Sequence, residues 1–144
     1  MTVRAGIIPL CGSYYGFGLD ATYHTLMDFG GHRESYEDAI ACALREAWEE
    51  SFGLFTFQRE DLLPLKPVVT ASSTLFFLPI EGNPEIITDL FMHEVLLAPL
   101  KQHRIESSGI IWLSETELQT YLQIPSLWYP PVHEAVLLWN RGRS

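Results

Sequence analysis

Three glutamates, Glu46, Glu49 and Glu50, fall within five consecutive positions, with Arg45 beside them and Glu37 eight residues upstream. On a helix turning 100° per residue, Arg45, Glu46, Glu49 and Glu50 gather on one side, while Ile40, Leu44 and Ala47 fall on the other. Glu46 stands i,i+3 from Glu49 and i,i+4 from Glu50, and like charges so placed each disfavour an isolated helix by roughly 0.2–0.5 kcal/mol. Arg45, four residues before Glu49, offsets part of that. A solvated face explains any one of these glutamates but not their clustering. Carboxylates projecting together form an oxygen-rich site for a hard divalent cation, which relieves the repulsion and bridges to phosphate oxygens.

The wider spacing is Gly31, five residues, Glu37, seven residues, Arg45-Glu46, two residues, Glu49-Glu50. At average residue usage, six such fixed positions arise by chance at roughly one starting point in 10^7, which outweighs the solvated face. The pattern resembles the Nudix box. One departure stands out: two residues, Ser51 and Phe52, precede Gly53 where the family's box usually has one, so the helix is expected to run one residue longer.

The resemblance implies an α/β fold, an α/β/α sandwich with a mixed β-sheet, formed by a single domain over residues 1–144. It implies hydrolysis of a diphosphate linkage in a nucleotide or nucleoside diphosphate derivative, with Mg²⁺ or Mn²⁺ as cofactor. The matching metal ligands are Glu46, Glu49 and Glu50, joined by the Gly30 carbonyl and by Glu106, which precedes a late strand where some members supply a further acidic residue. Arg45 and Glu37 brace the ligands. The general base is Glu46, Glu49 or a later acid such as Glu106. Alternatives within the fold are an RNA-cap or diphosphoinositol phosphate hydrolase, a non-catalytic nucleotide-binding domain, and a diphosphate isomerase, whose cysteine and acidic pattern is not evident here. Small members of the family frequently pair, so a homodimer is among the implied assemblies.

Substrate contacts are expected from Arg4 and Arg33, as phosphate partners, and from "GSYYGFG", read as a loop in which Tyr14, Tyr15 and Phe17 form an aromatic lip for a ring. The five histidines lack zinc-type spacing, and Cys42 is a small thiol near the carboxylates with no nucleophile's surroundings. Trp128 and Tyr129 border the pocket or fasten the last helix to the core.

The elements that must position these groups can be read in order. "VRAGIIPLC", Val3 to Cys11, is a buried strand, and Thr22 to Phe29 is a weaker one ending at Gly30-Gly31. "SYED", Ser35 to Asp38, matches a capping box, so the acidic helix is expected to begin near Ser35 and to end by Gly53. Pro67 to Ile80 holds one or two strands, "EGNPE" turns, and a short helix stops near Pro99. Gly109 to Leu113 is a strand, Ser114 to Glu117 a second capping box, and Pro131 stands near the start of a last helix that ends at Gly142.

The 144 residues are 47% hydrophobic and 19% charged, a globular composition, and the net charge of -9 argues against a broad basic face for extended nucleic acid, though a capped RNA end needs few backbone contacts. The charge leaves room for a small anionic ligand, and the resemblance implies that this partner is a small diphosphate. Two cysteines, no signal-peptide pattern and no long apolar run give the expectation of a soluble, intracellular protein with reduced thiols and no membrane partner.

Overall fold

The computed structural model describes residues 3–143. Among them, strands β1 (Arg4–Cys11), β2 (Tyr14–Asp20), β3 (Leu26–Met27), β4 (Phe29–His32), β5 (Val68–Val69), β6 (Ser73–Ile80) and β7 (Ser107–Leu113) form one mixed sheet. Five α-helices accompany it: α1 (Ala39–Glu50), α2 (Arg59–Leu62), α3 (Pro84–Leu97), α4 (Glu115–Leu122) and α5 (Pro130–Gly142). β1 is central. It runs parallel to β6 along its whole length, while its first half pairs antiparallel with β4 and its last two residues with β2. β2 in turn pairs antiparallel with β7.

Period-two alternation on strands buried on both faces divides the core in two. Ala5 and Ile7 of β1, with Phe76 and Leu78 of β6, join Cys42, Ala43 and Ala47 of α1 and Phe91 of α3. Ile8, Leu75 and Phe77 face the opposite way, towards Leu118 and Leu122 of α4 and Val132, Ala135 and Val136 of α5. Helices thus cover both faces, and the α/β/α sandwich with a mixed sheet expected from the sequence is the observed architecture.

Four local expectations are corrected. "GSYYGFG" is not a loop: Tyr14 to Asp20 is β2, because its aromatic and apolar side chains find cover on both faces. Gly30 and Gly31 do not end a strand but lie inside β4, opposite Gly6 and Ala5. The acidic helix starts at Ala39, since the Asp38 carboxylate caps it by accepting from the Ala41 N–H at 2.8 Å, while the Glu37 carboxylate is taken by the Glu34 N–H at 2.9 Å. Its C-terminus is not lengthened either. α1 closes at Glu50, and the extra residue is absorbed by left-handed backbone at Phe52 (φ 56°) and Gly53 (φ 83°), with the Phe52 ring 5.5 Å from that of Phe91.

Candidate functional site

The helix turns its carboxylates unequally. Its buried stripe is Ala43, Ala47 and Glu50, at i, i+4 and i+7, so Glu50 points inward and not to the solvent side assigned by the angular count. Glu46 is half-buried beside it, and Glu49 is exposed. Oxygens of Glu46, Glu50 and Glu106 lie within 4.8 Å of one another, and this is the one such acidic group among the described residues. Glu106 arrives from the residue before β7, where its carbonyl accepts from the Ala21 N–H at 2.8 Å. Glu49 stands outside the group, drawn instead to Arg45 at 3.3 Å.

Glycine makes this approach feasible. A Cβ at Gly31 would collide with the Glu46 carboxylate, and one at Gly30 would collide with the Asp28 carboxylate and lie 2.6 Å from the Ala5 carbonyl oxygen. The backbone of β4 can therefore press against the acidic helix only where side chains are missing. Cys42 sits beneath the same contact, its thiol donating to the Gly31 carbonyl at 3.5 Å; burial pushes the thiol up to about 11, so it is an inert packing group.

Arg45 ties the cluster together. Its Nε and Nη2 donate to the two oxygens of Glu37, each at 2.8 Å, its Nη1 donates to Glu46 at 2.8 Å, and Nη2 also reaches the His32 carbonyl at 3.1 Å. These bonds hold the Glu37 carboxyl below its ordinary value. Burial raises Glu46 despite Arg45, and it raises Glu50 well above the carboxylate range, with Asp28, Glu106 and Glu46 adding repulsion. Glu50 Oε2 is buried with no hydrogen-bond partner.

The cluster opens on a cleft of about 660 Å³, lined by Gly30, Gly31, Glu46, Glu50 and Glu106 together with Arg4, Tyr23, Arg104 and Tyr129. The ligand contacts expected from the sequence change here. Phe17 is fully buried, its ring edge-on to Trp128 at 5.1 Å, and has no face to offer a ligand. Tyr15 is buried as well, with its hydroxyl donating to Glu115 at 2.8 Å, and Tyr14 lines a different hollow, beside Trp112 and Thr88. Arg4 does border the cleft, but it is buried and bound to both oxygens of Asp28, at 2.6 and 3.0 Å, and lies 5.3 Å from the Tyr129 ring centre. Arg33 is not among the cleft's lining; its Nη1 donates to the Glu37 carbonyl at 2.7 Å, fastening the turn before α1. Of the pair before α5, Trp128 belongs to the core and Tyr129 to the cleft, so both readings of that segment hold.

Asp28 and Arg104 were missed in the sequence. Asp28 is surrounded in sequence by strand residues and carries no motif, and only the distant Gly6 and Arg4 reveal its place. Arg104 lies two residues before Glu106, a proximity that was available as a signal.

Comparison with solved structures places this architecture among known ones. The Ap4A hydrolase of C. elegans matches over 100% of both chains with a TM-score of 0.55 and 16% identity. A Nudix hydrolase from Nitrosomonas europaea matches over 98% of this chain and 89% of its own, with a TM-score of 0.54 and 17% identity. A bifunctional NMN adenylyltransferase/ADP ribose pyrophosphatase from Francisella tularensis, in complex with AMP and a manganese ion, matches over 100% of this chain but 42% of its own, with a TM-score of 0.62 and 9% identity. Neither the family models nor the curated protein sequences gave a significant match. The fold is that of the Nudix hydrolases.

Proposed function

We propose that residues 1–144 act as one domain that hydrolyses the diphosphate linkage of a nucleotide or nucleoside diphosphate derivative with the help of Mg²⁺ or Mn²⁺. The observation that carries this reading is the convergence of Glu46, Glu50 and Glu106 within 4.8 Å at the floor of the cleft, with a buried Glu50 oxygen that has no partner. A chain gains nothing from crowding carboxylates around an unpaired buried oxygen unless a cation compensates them. Donor chemistry fits: three carboxylates, with the backbone of Gly30 lining the same cleft, suit a hard divalent ion. The Nudix fold supports the same reading, and one structural neighbour was solved with AMP and manganese.

Glu46, Glu50 and Glu106 would hold the ion, which when bound supplies charge neutralisation of the diphosphate and a more acidic water. Glu46 is assigned as the proton acceptor for the attacking water, because it lines the cleft beside the other two carboxylates. Arg45 fixes that carboxylate's position through its 2.8 Å bond, while Glu37 anchors Arg45 from behind. Glu49, exposed and outside the carboxylate group, braces Arg45 from its other side.

The test is hydrolysis of a panel comprising nucleoside triphosphates, nucleotide sugars, dinucleoside polyphosphates, capped RNA and diphosphoinositols, with Mg²⁺ or Mn²⁺, followed by product analysis. Release of a phosphomonoester by the wild type and loss of at least ~100-fold in kcat for Glu50→Gln is the expected result. Undiminished turnover in that variant would overturn the assignment.

A further inference from the structure

We infer that substrate recognition at this cleft is carried by Arg104 and Tyr23, a cation and an aromatic ring flanking Glu106, and not by the residues on which sequence spacing placed it. The inference rests on the proposed diphosphate chemistry for its context but not for its observations.

Two arginines line the cleft, Arg4 and Arg104. Arg4 is buried and bound at both terminal nitrogens by Asp28, so its charge is already matched. Arg104 is exposed and has no hydrogen-bond or ion-pair partner among the described residues. Its guanidinium is therefore the cleft's unmatched positive group, in a protein whose net charge is -9. Beside a floor of carboxylates, a lone cation of this kind suits a phosphate that reaches past the floor, because the planar fork of Arg binds phosphate oxygens in pairs.

Tyr23 supplies the second half. It is 79% exposed, which leaves its ring uncovered, and it lines the same cleft. An exposed aromatic on a floppy loop would lose much entropy on binding, but this turn is fastened. Asp20 Oδ2 accepts from the Thr22 N–H at 2.9 Å and the Tyr23 N–H at 2.5 Å, and the Asp20 N–H donates to the Thr25 carbonyl at 2.9 Å. The Ala21 N–H then ties the turn to the Glu106 carbonyl at 2.8 Å. Tyr23 and Arg104 each lie two residues from that bond, so one backbone bridge joins the two segments that bring ring and cation to the same cleft. Such a preset platform favours a ligand with a flat ring separated from its phosphate by a short spacer, as in a nucleoside monophosphate unit.

Direct binding separates the two contributions without any turnover. AMP and ribose 5-phosphate are titrated into the metal-free protein and followed by chemical-shift changes, for the wild type and for Arg104→Gln, Tyr23→Ala and Tyr23→Phe. Arg104→Gln is expected to weaken both ligands roughly ten-fold, Tyr23→Ala to weaken AMP alone by a similar factor, and Tyr23→Phe to bind like the wild type. In hydrolysis of a nucleotide sugar, Arg104→Gln should raise KM and leave kcat unchanged. Wild-type protein that binds neither ligand, or variants that bind both as well as the wild type, would overturn the inference while leaving the hydrolase reading intact. Binding that follows the expected pattern in a protein that cleaves no diphosphate would instead overturn the hydrolase reading and leave this one standing.

Discussion

Arg4 and Asp28 form a two-point ion pair, 2.6 and 3.0 Å, buried at the edge of the cleft that holds the carboxylates. Asp28 is fully buried, and its carboxylate occupies the space that side chains at Gly6 and Gly30 would take. The pair keeps a negative charge matched next to Glu50, whose own charge burial already opposes. Arg4→Ala would leave Asp28 buried without a counter-charge and should destabilise the fold by ~3–5 kcal/mol, measured by urea unfolding. The double variant Arg4→Met/Asp28→Leu should recover most of that loss, because a buried pair exchanged for apolar side chains is close to neutral. A double variant as unstable as the single one would contradict this account.

Glu50 should trade stability against metal binding. Its carboxyl is raised by burial first, so its ionisation costs stability: the cost is absent below the ordinary carboxylate value of 4.5, grows as pH rises above it, and is full above the raised value. At neutral pH, Glu50→Gln should therefore stabilise the metal-free protein by ~1–3 kcal/mol, the amide donating to a neighbouring carboxylate. Thermal melts with and without MnCl₂ check both halves: the wild type gains Tm with the ion, and the variant starts higher and gains little.

Gly31→Ala places a methyl group against the Glu46 carboxylate. The side chain must swing away, so the Kd for Mn²⁺, read by titration calorimetry, is expected to rise by ~10-fold or more. The melting temperature should fall only modestly, since the obstacle is one side chain and not backbone at that position.

Removing the brace should slow the chemistry. Arg45→Ala frees Glu37, Glu46 and Glu49 at once, and a loss of ~10–100-fold in kcat is expected, with Glu37→Gln giving a smaller loss in the same direction. Equal kcat in wild type and Arg45→Ala would remove Arg45 from the site's machinery.

Acid stability should depend on the far end of the molecule. Glu115 is lowered to about 2 from an ordinary 4.5, mainly by hydrogen bonds from Arg143, with Tyr15 and Gln119 assisting. A depressed carboxyl contributes stability that is present above pH 4.5 and is lost as pH falls towards 2. In an acid titration followed by circular dichroism, Arg143→Ala should unfold at higher pH than the wild type, and the two should converge below about pH 2.

Local chemistry was the legible part of this chain. The Ser114–Glu117 capping box closes as its spacing says, with bonds of 2.9 and 3.2 Å, and the carboxylate helix lies where its glutamates placed it. The Ser35 box failed because its acidic member, Asp38, became the cap itself, accepting from the Ala41 N–H and pairing with Arg59 from a distant segment. β2 escaped recognition because glycines and tyrosines suggest a turn, whereas its structure is decided by β1 and β7 on either side. In the site itself, Glu106 was anticipated, but the inward turn of Glu50, the outward place of Glu49 and the pairing of Arg4 with Asp28 depend on contacts between strands that local periodicity does not encode.

The left-handed turn after α1 makes the longer connection part of the fold's packing. An inserted residue in a surface loop can be gained and lost with little penalty, but Phe52 has been taken into the packing beside Phe91, and Ser51 is buried with its hydroxyl accepting from the Phe55 N–H at 2.9 Å. Deleting Phe52 would not restore a shorter loop; it would remove a half-buried ring packed against the core and break the turn's hydrogen bonds together. In this chain the longer loop carries packing of its own, so removing one residue costs contacts as well as length.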